Sequence, residues 1–246
     1  MIEVARAGRV LRITLNRPEK RNALNRVLCE QLVTAIDGAD TDRAVGAIVI
    51  NGNGSSFCAG MDLNETGDLT EIHERLFTTV DRIRTPIIAA VHGAALAGGT
   101  GLAANAHIVF ATPEARFGLT EIRIGLWPVL IFRAVVRAIG ERRAVELSLT
   151  GREFNGAEAL SYGLVSDVVE DPLARAMETA TVIAGFSPVA VGAGLEYVHQ
   201  IRGRDWVHVG GIGRELRDQL MANEDFKEGT RAFLEKRQPS WPSLKG

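Results

Sequence analysis

Short runs bearing apolar residues at 2–6 and 10–15, separated by Ala7-Gly8, predict two strands joined by a turn. Asn16-Arg17-Pro18-Glu19-Lys20 interrupts the pattern. Asn25 then stands where a helix cap belongs, and Val27, Leu28, Leu32, Val33 and Ile36 recur on one helical face after it. The continuous apolar run Ala47-Ile48-Val49-Ile50 predicts a strand buried on both faces, followed by a loop over 51–56. A second cycle follows. Thr70 is expected to cap a helix reaching about Ile83, Pro86 stops it, and Ile87-Ile88-Ala89-Ala90-Val91 forms another buried strand. A loop of small residues leads to a short helix near 98–105 and a strand over 108–111. Strand, loop, helix and strand in succession predict an α/β fold with short crossovers.

Beyond Gly125 the pattern turns helical. Asp171-Pro172 and Ser187-Pro188 each place a capping side chain before a proline that suits the first helical position. From 188 onward only helices are expected. The chain thus divides into a core over 1–187 that carries the site and a helical region over 188–246 for assembly and active-site closure.

Composition excludes several classes. The 246 residues are 46% hydrophobic and 24% charged, as in an ordinary globular protein, so disorder and collagen-like repeats are set aside. A net charge of -2 offers no footprint for nucleic acid or an anionic membrane. No run of about 18 apolar residues predicts a membrane span. Two cysteines, Cys29 and Cys58, suit a reducing, cytoplasmic setting.

Ala97-Gly98-Gly99-Thr100-Gly101 lacks the Gly-Lys-Ser/Thr ending of a phosphate loop. It suits either close packing of strand and helix or a helix start whose free N–H groups meet developing negative charge. Phe57-Cys58-Ala59-Gly60-Met61-Asp62-Leu63 follows the other buried strand and could bring a second backbone N–H to the same place. Ligands of open α/β sheets lie at the carboxyl ends of strands, so the two loops reinforce each other. The acid–base candidates are Glu121, Glu114, Asp62, His92 and His107. His107 precedes an apolar strand as a packed histidine would, and His92 suits a supporting position. No nucleophile elbow and no metal-ligand spacing occurs. Glu121 lies between apolar stretches, where a carboxyl's pKa rises and it can exchange protons near neutrality. Pairing with Arg116 or Arg123 is the competing reading.

In this order and spacing, the motifs resemble the enoyl-CoA hydratase/isomerase (crotonase) family. The resemblance rests on Leu15-Asn16-Arg17-Pro18 with Asn22-Ala23-Leu24, on 57–63, on Ala90-Val91-His92-Gly93 with Leu96-Ala97-Gly98-Gly99, and on Phe117-Gly118 through Glu121 to Gly125-Leu126. It continues through Gly151, Ala157-Glu158-Ala159 and Gly163-Leu164-Val165 to Glu228-Gly229 and 232–237.

The resemblance implies a spiral of ββα units with a C-terminal helical region, a homotrimer or dimer of trimers, and an acyl-CoA thioester as substrate. CoA is then part of the substrate and no separate cofactor or metal is expected. By the same resemblance, the backbone N–H groups of Met61 and Gly98 bind the thioester oxygen. The backbone around Met61, Asp62, Leu63 and Asn64 lines the CoA path, Ala23 and Ala59 lie near the pantetheine or adenine, Lys236 reaches a CoA phosphate, and Leu126 and Trp127 wall the acyl pocket.

Two catalytic glutamates are expected in the family's hydratases. The first position is Gly101 here, and the second is Glu121. The aspartate of the diene isomerases falls near Val129 and is absent, and 126–133 departs from the hydratases' Gly-rich stretch. Adding water profits from a second acid–base group, whereas moving a double bond needs one. A Δ3-Δ2-enoyl-CoA isomerase with Glu121 alone is therefore the expectation. An enoyl-CoA hydratase of fatty-acid β-oxidation is the first alternative. A CoA-thioester-binding relative with weak or no catalysis is the second; a clustering of Arg133, Arg137, Arg142 and Arg143 could give such a relative an RNA-facing patch.

Overall fold

The computed structural model describes residues 1–245; Gly246, the end of the expected helical region, lies outside the described residues. The opening strands β1 (Ile2–Ala7) and β2 (Val10–Leu15) form the expected hairpin, with Ile2 opposite Leu15 and Ala7 opposite Val10. The Asn25 side chain accepts the Leu28 N–H (3.0 Å) and so starts α1 (Arg26–Thr41). Leu28, Cys29, Leu32, Val33, Ile36 and Ala39 are its buried face, while Val27 points to solvent.

From here the chain repeats one unit three times: a strand in a large sheet, a strand in a small sheet, and a helix. The first unit is β3 (Ala47–Gly52), β4 (Ser56–Cys58) and α2 (Thr70–Phe77). The second is β5 (Ile87–Val91), β6 (Ala94–Leu96) and α3 (Gly98–Ala104). The third is β7 (Ile108–Ala111), β8 (Arg116–Gly118) and α4 (Val129–Ile139). After α5 (Glu141–Thr150) come β9 (Glu153–Asn155), α6 (Gly156–Tyr162) and β10 (Asp167–Val168), which close the two sheets in the opposite order.

The large sheet runs β1-β2-β3-β5-β7-β10 and is parallel from β2 onward. The small sheet runs β4-β6-β8-β9, with β4, β6 and β8 parallel. This is the spiral of ββα units. One face of the large sheet packs against the main core of α1, α3, α4 and α5. The other face is covered by α7 (Pro172–Ala184), whose Ala176, Ala180 and Ala184 meet Val49, Ile88, Ala90 and Phe110.

The strands β4, β6, β8, β9 and β10 depart from the sequence expectation of loops or helix. Each has only two or three residues, too few for a periodic pattern to register. Thr70 is the first residue of α2 and not its cap; its N–H donates to the Asp68 carboxylate. That helix also ends at Phe77, with a 3₁₀ turn over Thr79–Asp81 replacing its expected last turn.

Asp171 and Ser187 do cap α7 and α8 (Pro188–Ile201), accepting the Ala174 and Ala190 N–H groups. Two further helices follow, α9 (Trp206–Ala222) and α10 (Glu224–Leu234). Buried Asp225 accepts the hydroxyls of Ser187 (2.6 Å) and Ser243 (2.7 Å), tying the tail to the start of α8.

Among the described residues no single helix is long and apolar enough to cross a membrane. Helices α7 and α8 reach that length only together and meet at a 108° bend, with α7 packed on the sheet.

Candidate active site

Three parallel strands of the small sheet, β4, β6 and β8, release their carboxyl ends side by side. The chain after each carries one of the expected groups: Met61 after β4, Gly98 after β6 and Glu121 after β8. The loops are stitched together. The Ala97 N–H donates to the Gly118 carbonyl (2.8 Å). Thr100's hydroxyl donates to Ala95 (2.6 Å) and accepts the Gly118 N–H (3.0 Å). Leu24 pairs with Met61 as an isolated parallel bridge, in which the Leu24 N–H donates to Gly60 and the Asp62 N–H to Leu24.

That bridge uses the amides on either side of Met61 and leaves its own unused. Among the described residues, neither the Met61 nor the Gly98 N–H donates a hydrogen bond. Gly98 is the first residue of α3 and is buried. The residue before it, Ala97, has φ 49° and ψ -118°, a conformation that glycine usually supplies. Such backbone costs on the order of 1–3 kcal/mol and persists where the surroundings dictate it. Gly60 shows why they do: at φ 95°, a Cβ there would stand 2.9 Å from the Ala97 Cβ and 3.3 Å from the Gly98 nitrogen. The two loops are pressed together so closely that both donors are fixed in place.

These donors open on a cavity of about 200 Å³ lined by Leu24, Ala59, Met61, Leu63, His73, Phe77, Ala97, Gly98, 120–121, Ile124 and 126–131. Glu121 is the one carboxylate among the lining residues. Its Oε2 is buried without a hydrogen-bond partner, and burial pushes its pKa up from 4.5 to about 7. The competing reading of Glu121 fails, because Arg116 and Arg123 both pair with Glu153, at 3.0 and 3.4 Å. The carboxyl is therefore desolvated and has neither Arg116 nor Arg123 as a counter-charge, the condition under which it exchanges protons near neutral pH.

A side chain at position 101 would meet α4. A Cβ on Gly101 would stand 2.2 Å from Ile131 Cγ2 and 2.6 Å from Ile131 Cβ, so Ile131 already fills that space. The second acid is absent both from the sequence and from the room available for it.

Other expected residues separate into those at the cavity and those beside it. Ala59, Leu63, Leu126 and Trp127 line it. Ala23 sits next to lining residue Leu24 but does not itself line the cavity. Asp62 is buried and engaged: Arg17 donates to it at 2.6 Å, and the Asn64 N–H and side-chain amide donate to its other oxygen. Its carboxyl is held below the usual range, chiefly by Arg17. Asp62 and Asn64 thus shape the loop that aims Met61, and their side chains lie outside the cavity lining.

Lys236 is exposed just past α10 and lines no part of this cavity. His92 contacts the Gly54 carbonyl, His107 accepts the Ile87 N–H, and Glu114 is exposed; none of the three lines the cavity. His107 is packed, but its Nε2 is buried without a partner, so only one of its two nitrogens is satisfied. The arginines that could have clustered do not form one unit. Arg133 and Arg137 pair with Asp81, which also holds Arg202, while Arg143 pairs with Glu146 and stacks on Tyr162.

His73 and Phe77 have no place in the sequence expectation. The available signal was the α2 pattern, in which His73 sits one turn before Phe77 on an apolar face. The packing of Ile131 against Gly101 left no sequence signal.

Two free backbone donors and one desolvated carboxyl line a single cavity, the groups that oxyanion stabilisation with proton transfer beside it requires. The chain belongs to the enoyl-CoA hydratase/isomerase family, whose model matches residues 5–244. It is 40% identical to the mevalonyl-coenzyme A hydratase of Aspergillus fumigatus, over 94% of this chain and 91% of that one. It is 37% identical to the 2,3-dehydroadipyl-CoA hydratase of Escherichia coli, over 97% of each. The crystal structure of an enoyl-CoA hydratase from Bacillus anthracis superposes with a TM-score of 0.92 at 30% identity, covering 98% of this chain and 99% of the other. The protein is thus an acyl-CoA enzyme of the crotonase fold.

Proposed function

We propose that this enzyme is a Δ3-Δ2-enoyl-CoA isomerase. The observation that carries the reading is the pairing of Glu121, the one carboxylate at the cavity, with Ile131 in the space a second one would need. The Glu121 carboxylate takes a proton from C2 of a 3-enoyl thioester. The electron pair moves toward the thioester oxygen, where the Met61 and Gly98 N–H groups meet the new charge. Each such donor is worth about 3–4 kcal/mol of barrier. The double bond then re-forms between C2 and C3, and Glu121 returns the same proton to C4. Water is not consumed, and the apolar wall from Leu126 to Ile131 supports a dry site.

The names of the relatives are consistent with a second reading, hydration of a 2-enoyl thioester. It would require Glu121 alone to hold and activate the water. Comparing isomerisation of a 3-enoyl-CoA with hydration of crotonyl-CoA on one preparation separates the two. Faster isomerisation supports the proposal, and faster hydration overturns it.

Assembly as a trimer or dimer of trimers is part of this reading. Phe233 and Leu234 on α10 are 83% and 75% exposed, an adjacent apolar pair that a subunit interface would cover. Lys236, two residues past Leu234, would reach a CoA phosphate across such an interface. The free thiols of Cys29 and Cys58 support a cytoplasmic setting.

A further inference from the structure

One buried polar side chain at the cavity has no part in the proton transfer. His73 is 4% exposed and lines the acyl wall among Leu24, Phe77, Leu126, Leu130 and Ile131. Its Nε2 is buried with no hydrogen-bond partner, and no hydrogen bond engages the rest of its ring. Buried polar groups in native proteins are nearly always paired, so a cavity-wall imidazole with neither nitrogen engaged points to a partner carried by the ligand, met at Nδ1, the ring nitrogen that is not closed off.

The position tells which part of the ligand. Phe77, one turn on, brings its Cζ to 3.3 Å from where a Cβ on Gly98 would stand, beside the oxyanion donor. The His73 ring lies 6.0 Å from the Phe77 ring, centroid to centroid. His73 is thus the neighbour of the ring that borders the oxyanion donor, one aromatic residue removed from it along the wall.

The chemistry narrows the ligand further. Burial holds His73 below the ordinary histidine pKa, so at neutral pH the imidazole offers one N–H donor and one acceptor and no charge. A carboxylate against this wall would lack a counter-charge, whereas a hydroxyl or keto oxygen needs none.

We propose that His73 is a specificity-determining residue that hydrogen-bonds an uncharged oxygen on the distal acyl chain, so that the preferred substrates are acyl-CoA thioesters bearing a hydroxyl or keto group beyond C4. The inference rests on the cavity being the acyl site of the proposed reaction, but not on which reaction follows.

Saturated thioesters test it without turnover. Calorimetric titration of the full-length protein with hexanoyl-CoA, 5-hydroxyhexanoyl-CoA and 6-hydroxyhexanoyl-CoA should show one hydroxylated ligand binding about 10-fold tighter than hexanoyl-CoA, the effect of one well-made hydrogen bond. His73→Phe, which keeps a ring against Phe77, should abolish that preference while hexanoyl-CoA binds at least as well. His73→Asn, which keeps a donor and an acceptor, should retain part of it. Equal binding of all three ligands by the wild type, or a preference that survives His73→Phe, overturns the inference. Tighter binding of adipyl-CoA than of either hydroxylated ligand overturns its uncharged character. Failure of all the thioesters to bind overturns both this inference and the proposed function. A His73-dependent preference in a protein that hydrates faster than it isomerises overturns the isomerase reading alone.

Discussion

Replacing Glu121 by glutamine removes the charge and keeps the shape, and it should separate catalysis from stability. Folding raises this carboxyl from 4.5 to about 7, so the native state holds the proton more firmly than the unfolded chain does. The stability this contributes is fully present below about pH 4.5 and is lost as the pH rises through 7. Each pH unit corresponds to about 1.4 kcal/mol, so ionising the buried group costs the fold up to about 3 kcal/mol. A glutamine in its place has no such cost. About 2.5 kcal/mol of this cost falls between pH 5 and pH 8, so the melting temperature of Glu121→Gln relative to wild type should climb over that range by roughly 5–10 °C for a chain of this size. Over the same range the wild-type kcat/KM should rise through about pH 7 as the base ionises, and the variant should lose about 10²–10⁴-fold of its activity. Thermal melts at four buffered pH values and a spectrophotometric thioester assay measure both. A melting difference that stays flat with pH would refute the desolvation argument, and retained turnover would remove Glu121 as the base.

Three further outcomes follow from the packing. Gly98→Val pushes a branched side chain toward Leu24 Cδ1 and Phe77 Cζ, 3.2 and 3.3 Å from its Cβ position, so acyl-CoA affinity should fall at least 10-fold by titration while the circular dichroism spectrum stays native. Gly101→Glu should cost about 1–3 kcal/mol in denaturant melts because of Ile131, and only the double variant with Ile131→Ala should gain measurable hydration of crotonyl-CoA. Lys236→Ala should raise KM and leave kcat unchanged, with the effect shrinking as salt is added, because a remote phosphate contact serves ground and transition states alike. An unchanged KM, or a monomer by light scattering, would refute the cross-subunit placement of that lysine.

What the sequence revealed divides along physical lines. The Asn25 cap, the apolar face from Leu28 to Ile36 and the strands Ala47–Gly52 and Ile87–Val91 were legible because local periodicity and capping decide them. The short strands β6 and β8 were not, although they carry the loops of Gly98 and Glu121, because three residues such as Ala94–Leu96 take their conformation from neighbouring strands. Met61, Gly98 and Glu121 came from the order of motifs, and the fold brings their strands side by side. The state of Glu121 was undecided until Glu153, 32 positions away in the chain, proved to hold both arginines. The helical run after Gly125 was evident as apolar, but only packing distinguishes Ile131, which fills the space beside Gly101, from Val129, which is 66% exposed.

The two thiols have a consequence of their own. Cys29 lies in α1 and Cys58 ends β4, directly before the loop that aims Met61; both are fully buried and burial pushes both up to about 12. Neither forms thiolate near neutrality in the folded protein, so a thiol-reactive dye can label only molecules that have opened. The pair is a built-in two-channel clock. Cys29 times release of the first helix, and Cys58 times escape of the strand whose carbonyl would stand 2.0 Å from a Cβ on Gly99. An acyl-CoA that grips the Met61 amide should slow the second channel more than the first. Labelling kinetics can thus follow ligand-induced locking of this one strand in a protein free of engineered probes.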